Sequence, residues 1–449
     1  MNWYGQHILI LGLGNSGLAA ARWLAHRGAD LRVADTSAAP ANLPRLQQAL
    51  PEVPVTTGKF VEADFVWADR IIISPGVPLA HELIQSAMQR GIMVWGDVEL
   101  FAQAVPSHAK VIAITGSNGK STVTSMVAAM CSAAGKKTLM AGNIGLPVLD
   151  ALEDHPETEV FVLELSSFQL ETTFTLNPVA ATVLNISEDH LDRYASLDEY
   201  AATKARIFDV GGVQVLNRDD ARSMAMARTD RNTLSFGLNA SETEHEYGVR
   251  DGNLCRGKRK LMAIADLPLA GLHNAANALA ALALCQAMDL PETPILDALR
   301  KFKGLPHRVE WVAEINGVSF YDDSKGTNVG ATEAALKGMD KPVVLIVGGD
   351  GKGQDFTPLA GAVKQSARAV VQIGRDGNLI AEAIVSAGVP VVRAESMEQA
   401  VALAYEQAKP GDAVLLSPAC ASFDMFKNYA HRADVFIAAV KQLERGATL

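Results

Sequence analysis

The chain is short of cysteine. Of 449 residues only Cys131, Cys255, Cys285 and Cys420 are cysteines, and they stand far apart. No CxxC pair occurs, so neither a zinc knuckle nor a disulfide framework is indicated, and reduced thiols are expected. Long hydrophobic runs are missing too. No segment approaches the ~20 apolar residues of a membrane span, so none is expected. Positive charge is in deficit: 40 Lys and Arg against 50 Asp and Glu give a formal net charge of −10. That balance disfavours general binding to nucleic acid or anionic membranes. Anionic ligands must then be held by local devices, such as helix N-termini or a few lysines. The N-terminal MNWYGQHILILGLG has no cationic stretch before its apolar run, which enters a Gly-rich turn. It reads as a first strand and not a signal peptide, and a cytoplasmic protein is expected.

What is present fits a globular chain: 49% hydrophobic, 20% charged and 6% aromatic residues. At about 150 residues per domain, the length suggests about three domains. Short apolar runs rich in Val and Ile recur at His7–Leu11, Leu31–Ala34, Ile71–Ile73, Lys110–Ile114, Val160–Leu163, Ala181–Leu184, Val213–Leu216, Val343–Val347, Ala369–Ile373 and Ala413–Leu416. Segments of helical spacing, such as Ser16–Arg27 and Ser121–Ala134, lie between them. This alternation predicts α/β architecture with doubly wound, mainly parallel sheets. Breaks near Gly96 and near GLPHR at 304–308 divide the chain into 1–97, 98–304 and 305–449. The less regular stretch 231–270 is a place for antiparallel strands.

Two Gly-rich turns follow strands and open helices. GLGNSG, Gly12 to Gly17, is a G-x-G-x-x-G in which Gly14 lets the backbone approach a diphosphate. Asp35 ends the next strand, where an acid can accept hydrogen bonds from ribose. NAD, FAD or a nucleotide sugar would suit this site, and a packing turn without a ligand is the bland alternative. The second turn is the stronger signal. In VIAITGSNGKSTVTSM a strand runs into Gly116, Ser117, Asn118, Gly119, Lys120, Ser121 and Thr122 and then a helix. Backbone N–H groups there can cradle phosphates, Lys120 can reach the β- and γ-phosphates, and a Ser121 or Thr122 hydroxyl can bind Mg²⁺. Only two residues separate Gly116 from Gly119, which argues against ordinary GTPases and motor ATPases.

Acidic and basic groups gather at other strand ends. Glu164 follows four apolar residues and is placed to complete an Mg²⁺ site. NISEDHLDR presents Glu188, Asp189, His190 and Asp192. Lys204 follows at helical distance, and its default is a solvated lysine. GLPHR carries His307 and Arg308, and YDDSKGTN carries Asp322, Asp323, Ser324, Lys325, Thr327 and Asn328. IVGGDGKG carries Asp350 and Lys352, and LLSPACASFDMFKNY carries Ser422 and Lys427. All follow strands, on the edge where open α/β sheets bind ligands.

Together these stretches resemble the Mur ligase family. The resemblance runs over nearly the whole chain: GLGNSG, SPG, GDVELF, AITGSNGKST, GNIGLP, LELSSFQLE, NISEDHLDR, KARI, HNAANALAA, GLPHR, DSKGTN, GGDGKG and SPACASFDMFK. It implies a Rossmann-like N-terminal domain, a central P-loop ATPase domain and a Rossmann-like C-terminal domain. It further implies ATP-dependent ligation of D-glutamate to UDP-N-acetylmuramoyl-L-alanine through an acyl phosphate, in peptidoglycan precursor synthesis. By the same resemblance Asn15, Ser16, Asp35, Thr36, Gly76 and Asn143 contact the UDP substrate. Gly116 to Thr122, Asn277, Arg308 and Asp323 bind ATP. Ser121, Glu164, His190 and Lys204 hold Mg²⁺, with Lys204 carboxylated, and Lys325, Thr327, Lys352, Ser422 and Tyr429 receive D-glutamate. Lys120, Glu164, His190 and Lys204 carry the catalysis. Ala275, Gly326 and Ala433 depart from the family's usual Tyr, Ala and Gly, Ala433 bearing on the C-terminal turn. A monomer is expected. The rival readings are a nicotinamide-dependent oxidoreductase, a folylpolyglutamate-synthetase-like ligase and a P-loop regulatory switch.

Overall fold

A computed structural model describes residues 2–190, 193–269 and 271–447. Asp192 lies outside them. The strands fall into three sheets. The first holds β1 (His7–Leu11), β2 (Asp30–Asp35), β3 (Val55–Thr57), β4 (Arg70–Ile73) and β5 (Met93–Trp95), in the order β3-β2-β1-β4-β5. All its pairs are parallel, with Ile10 opposite Val33 and Ile72.

The second sheet holds β6 (Lys110–Thr115), β7 (Thr138–Gly142), β8 (Val160–Glu164), β9 (Ala180–Val183), β10 (Val213–Asn217), β11 (Thr233–Phe236), β12 (Glu246–Arg250), β13 (Asn253–Arg256) and β14 (Arg259–Ala263). Its order is β14-β13-β12-β11-β10-β9-β6-β8-β7. The pairs are parallel as far as β12, and only β12/β13 and β13/β14 run antiparallel. The stretch 231–270 is therefore mixed: β11 and β12 extend the parallel sheet before the antiparallel turns begin. The ninth strand also begins at Ala180, one residue before the hydrophobic run suggests.

The third sheet holds β15 (Glu310–Ile315), β16 (Val318–Asp322), β17 (Val343–Gly348), β18 (Ala367–Ile373), β19 (Val391–Arg393) and β20 (Ala413–Leu416), in the order β15-β16-β20-β17-β18-β19. Only the β15/β16 pair is antiparallel. Parallel pairing carries the chain back through helices to start each strand at the same end, so the strand-end loops gather on one edge of each sheet.

Alternation along the strands builds the cores. On β1, Ile8 and Ile10 face one cluster and Leu9 and Leu11 another. The first cluster continues through Val98 and Phe101 to Phe161 and Leu163, so the first two sheets share an apolar core. Arg22 adds an ion pair to Asp150 at 2.7 Å. The third sheet is different. Its clusters, around Val344 and Ile346 on one face and Val343 and Leu345 on the other, are drawn from the C-terminal residues alone. The contacts that bring this unit to the phosphate loop are polar, as described below. Polar interfaces of this kind are the usual setting for domain movement. The helix Tyr429–Ala447 runs through Ala433, which is fully buried within it. Among the described residues no helix is long and apolar enough to cross a membrane.

Candidate active site

The phosphate loop is built by two backbone turns that need glycine. Gly116 has φ +148° and Gly119 +84°. A Cβ at Gly119 would stand 2.7 Å from Asn277 Oδ1. Gly119 caps the helix Lys120–Ala133 in the left-handed region, which aims the free N–H groups of the first turn at the loop. The loop is held from behind. Asn118 N donates to Asn185 Oδ1 at 2.8 Å, and Ser117 Oγ donates to the Ser187 carbonyl at 3.0 Å. Lys120 folds over it, donating from Nζ to the carbonyls of Gly116 at 2.8 Å and Ser117 at 2.9 Å. Burial pulls the Lys120 ammonium below its ordinary pKa, against the pull of Glu164 and Asp189.

Beside the loop stands a cluster of buried ionisable groups. Glu164, at the end of β8, accepts from Asn143 Nδ2 at 2.7 Å through Oε1, while its buried Oε2 has no hydrogen-bond partner. Lys204 is not the solvated lysine of its default reading, for it is 1% exposed. Its Nζ donates to Thr115 Oγ1 at 3.2 Å and lies 4.6 Å from the Tyr200 ring centroid. Burial, reinforced by the neighbouring Lys120, drives its pKa well below the ordinary lysine value. Burial of this kind favours the uncharged amine over the ammonium. His190 sits at φ +56°, with its ring 4.7 Å from that of Phe168. Burial raises the neighbouring Asp189 carboxyl, yet His190, Lys352 and Lys120 together hold it below its ordinary pKa.

Two cavities flank this centre. One, of about 370 Å³, is lined by Asn118, Gly119, Thr122, Asn277, Arg308 and Asp323 of the expected ATP residues. Gly116, Ser117, Lys120 and Ser121 do not line it. Of these, Lys120 interacts electrostatically with Glu164 and Ser121 accepts from Lys325. The same cavity is lined by Asn185, Ser187, His273 and Asn274, to which sequence reasoning gave no role, although all four fall inside quoted motifs. Burial lowers the His273 imidazole to about 4 and raises Asp323 to about 7. The other cavity, of about 460 Å³, joins Asn15, Ser16, Asp35, Thr36, Gly76 and Asn143, with Gln169 added. Asp35 already accepts from Leu13 N at 2.6 Å and Ser37 N at 2.7 Å, so it also orders the turn that forms the cleft.

The third unit closes on the loop through its strand-end residues. Lys325 Nζ donates to Ser121 Oγ at 3.1 Å and lies 5.4 Å from the Tyr429 ring centroid. Burial lowers the Lys325 ammonium to about 8. Lys352 Nζ stands 3.6 Å from Asp189 Oδ1, and Asn328 Nδ2 donates to Asp189 Oδ2 at 3.4 Å. Ser422 is buried, while Thr327 is half-buried and Tyr429 partly exposed. None of the five residues expected to receive D-glutamate lines either cavity. Arg432, 1% exposed, binds their loops together by donating to the Ser324 carbonyl at 2.8 Å and the Cys420 carbonyl at 3.1 Å. The sequence signal for Arg432 was weak, because a lone arginine on a C-terminal helix ordinarily faces water.

A phosphate loop, a carboxylate facing it, a nucleotide-sized cleft on either side and lysine-bearing loops closing from a third unit define a multidomain nucleotide-dependent enzyme. Family models agree in order and extent: Mur ligase MurD-like N-terminal domain over residues 6–96, Mur ligase middle domain over 114–285, and Mur ligase glutamate ligase domain over 307–420. The chain belongs to the Mur ligase family. It is 58% identical to a UDP-N-acetylmuramoylalanine–D-glutamate ligase of Methylobacillus flagellatus, over 98% of each chain. It is 56% identical to the enzyme of that name from Thiobacillus denitrificans, over 98% of this chain and 97% of the other. Solved structures share the fold at lower identity. A pseudomurein peptide ligase type C from Methanothermus fervidus aligns with TM-score 0.62 at 19% identity, over 98% of this chain and 100% of its own. A UDP-N-acetylmuramate-alanine ligase from Thermotoga maritima gives 0.61 at 19%, over 97% and 99%.

Proposed function

We propose that the chain is an ATP-dependent ligase that adds D-glutamate to UDP-N-acetylmuramoyl-L-alanine, in the cytoplasmic stage of peptidoglycan precursor synthesis. The contact between Lys325 and Ser121 carries this reading. It brings a loop of the third unit onto the phosphate loop, so an acceptor held by the third unit meets a group activated at the second. The full-length likeness to D-glutamate ligases supports the choice of acceptor.

In this reading segment 1–97 holds the UDP moiety through Asn15, Ser16, Asp35, Thr36 and Gly76, and Asn143 contacts the muramoyl part. Segment 98–304 holds ATP, with Arg308 and Asp323 completing the nucleotide side from segment 305–449. Lys120, released from its two loop carbonyls, stabilises charge on the transferring phosphoryl group. The L-alanyl carboxylate attacks the γ-phosphorus, giving an acyl phosphate and ADP. The amine of D-glutamate, oriented by Lys325, Thr327, Lys352, Ser422 and Tyr429, then attacks that carbonyl carbon, and phosphate leaves. Activation is required because oxide is a poor leaving group from a carboxylate, whereas phosphate is a good one.

The residues fit Mg²⁺. The orphaned Glu164 Oε2 offers a hard oxygen donor, with Ser121 and His190 as further ligands. Lys204 fits as a carboxylated lysine, since carbamate forms from the unprotonated amine and burial shifts this lysine in that direction. The bound ion supplies positive charge against the phosphoryl oxygens.

The test is phosphate release from ATP with UDP-N-acetylmuramoyl-L-alanine, with and without D-glutamate, L-glutamate or lysine. Release that requires the uridine compound and D-glutamate supports the proposal. A requirement for another amino acid overturns the acceptor. Turnover independent of the uridine compound overturns the whole reading and favours the folylpolyglutamate-type or switch alternatives, and hydride transfer to a nicotinamide would favour the oxidoreductase.

A further inference from the structure

The loop that carries Asp189 and His190 is tied to the first unit by the side chain of Arg193. Its Nη1 donates to the Pro75 carbonyl at 2.9 Å and its Nη2 to the Val77 carbonyl at 3.4 Å. Nη2 also donates to Glu171 Oε2 at 2.6 Å, and the other oxygen of that carboxylate accepts the Tyr194 hydroxyl at 2.6 Å. The guanidinium lies 4.1 Å from the centroid of Phe168, the ring that packs on His190. The Arg193 and Glu171 side chains are 15% and 14% exposed, so the assembly is largely shielded from water.

Each end of this assembly touches a different part of the machinery. Pro75 and Val77 line the nucleotide-sugar cleft on either side of Gly76. Glu171 ends the helical turn Ser167–Leu170, which carries both Gln169 of that cleft and Phe168. A planar guanidinium can hold two carbonyls and a carboxylate at once while stacking on an aromatic ring, and an ammonium cannot reproduce that fork.

We infer that Arg193 is a positioning residue that couples occupancy of the nucleotide-sugar cleft to the placement of His190 and Asp189 beside the phosphate loop. A ligand seated against Gly76 holds the two flanking carbonyls in place. Those carbonyls fix the guanidinium, and the guanidinium fixes Phe168 and, through its ring, His190. Arg193 acts without touching the reacting atoms. The inference rests on the reading of that cleft as the UDP site and adds the route by which it speaks to the phosphoryl-transfer centre.

The experiment measures the affinity of the full chain for a non-hydrolysable ATP analogue with Mg²⁺, in the absence and presence of saturating UDP-N-acetylmuramoyl-L-alanine. The wild type is expected to bind the analogue at least about fivefold more tightly with the uridine compound present, the lower end of ordinary coupling between sites. Arg193→Met is expected to bring that ratio near one. Arg193→Lys keeps a cation for Glu171, so it protects the fold, and is expected to lose most of the ratio while binding the analogue alone within about twofold of wild type. A purely structural role would weaken both measurements and leave the ratio intact. An intact ratio in Arg193→Lys, or a wild-type ratio near one, overturns the inference. Failure of the wild type to bind the uridine compound removes the reading of the cleft itself, a separate result.

Discussion

Replacing Lys204 by methionine separates a structural lysine from a chemical one. The side chain is buried, of similar length, and its Nζ donates to Thr115 Oγ1 at 3.2 Å. Thr115 keeps its own bond to the Leu165 carbonyl at 2.7 Å, so the substitution orphans no hydroxyl. The stability lost is that of one typical side-chain hydrogen bond, about 0.5–1.5 kcal/mol. Against it stands relief from a lysine whose folded pKa lies below its unfolded value. Such a group destabilises the fold at every pH below the unfolded pKa at which the unfolded chain binds the extra proton, and the penalty fades as pH rises toward that value. The two effects oppose, so Lys204→Met should melt within a few degrees of wild type at neutral pH. Activity should fall about 1,000-fold, which is about 4 kcal/mol of transition-state stabilisation. Short carboxylic acids, entering the space with two oxygens, should restore part of it. The assay is D-glutamate-dependent phosphate release beside a thermal melt. Near-normal turnover would refute the reasoning, as would a loss of activity that tracks a large fall in melting temperature and ignores added acetate.

Three further outcomes follow from other parts of the site. Gly119→Ala forces a side chain into a φ of +84° and places a Cβ 2.7 Å from Asn277 Oδ1, so it should weaken ATP-analogue binding more than about tenfold and cost about 1–2 kcal/mol of stability, read by calorimetry and urea denaturation. Asp323 is raised by burial from 3.8 to about 7, so the folded chain holds its proton more tightly than the unfolded one. Its contribution is full below pH 3.8 and is lost as pH rises to about 7; a gap of about three units corresponds to about 4 kcal/mol. Asp323→Asn should flatten that decline in denaturation curves taken between those pH values, and an unchanged slope would refute the assignment. Arg432→Met leaves the Ser324 and Cys420 carbonyls without their buried donor, so it should destabilise the chain by about 2–3 kcal/mol and raise the KM for D-glutamate about tenfold while sparing ATP-analogue binding.

By itself the sequence determined the local pieces. Strand, glycine turn and helix follow one another at Gly12 and at Gly116 because contiguous residues set the backbone conformations those turns require. Parallel α/β layering followed from short Val- and Ile-rich runs that must be buried on both faces. Even Gln169, His273 and Asn274, whose roles were not read, lay inside motifs that stood out. Tertiary structure decided what depends on residues far apart in the chain. Lys204 is buried with its pKa lowered because its side chain reaches the end of β6, 89 residues earlier, and helical spacing carries no record of that meeting. Lys325 reaches Ser121 across 204 residues, and Arg193 reaches Pro75 across 118. One cavity gathers residues from the first and second units and the other from the second and third, so neither exists until those units meet. Desolvation and long-range contact set the charge and the aim of these side chains, and both arise only when the chain has closed on itself.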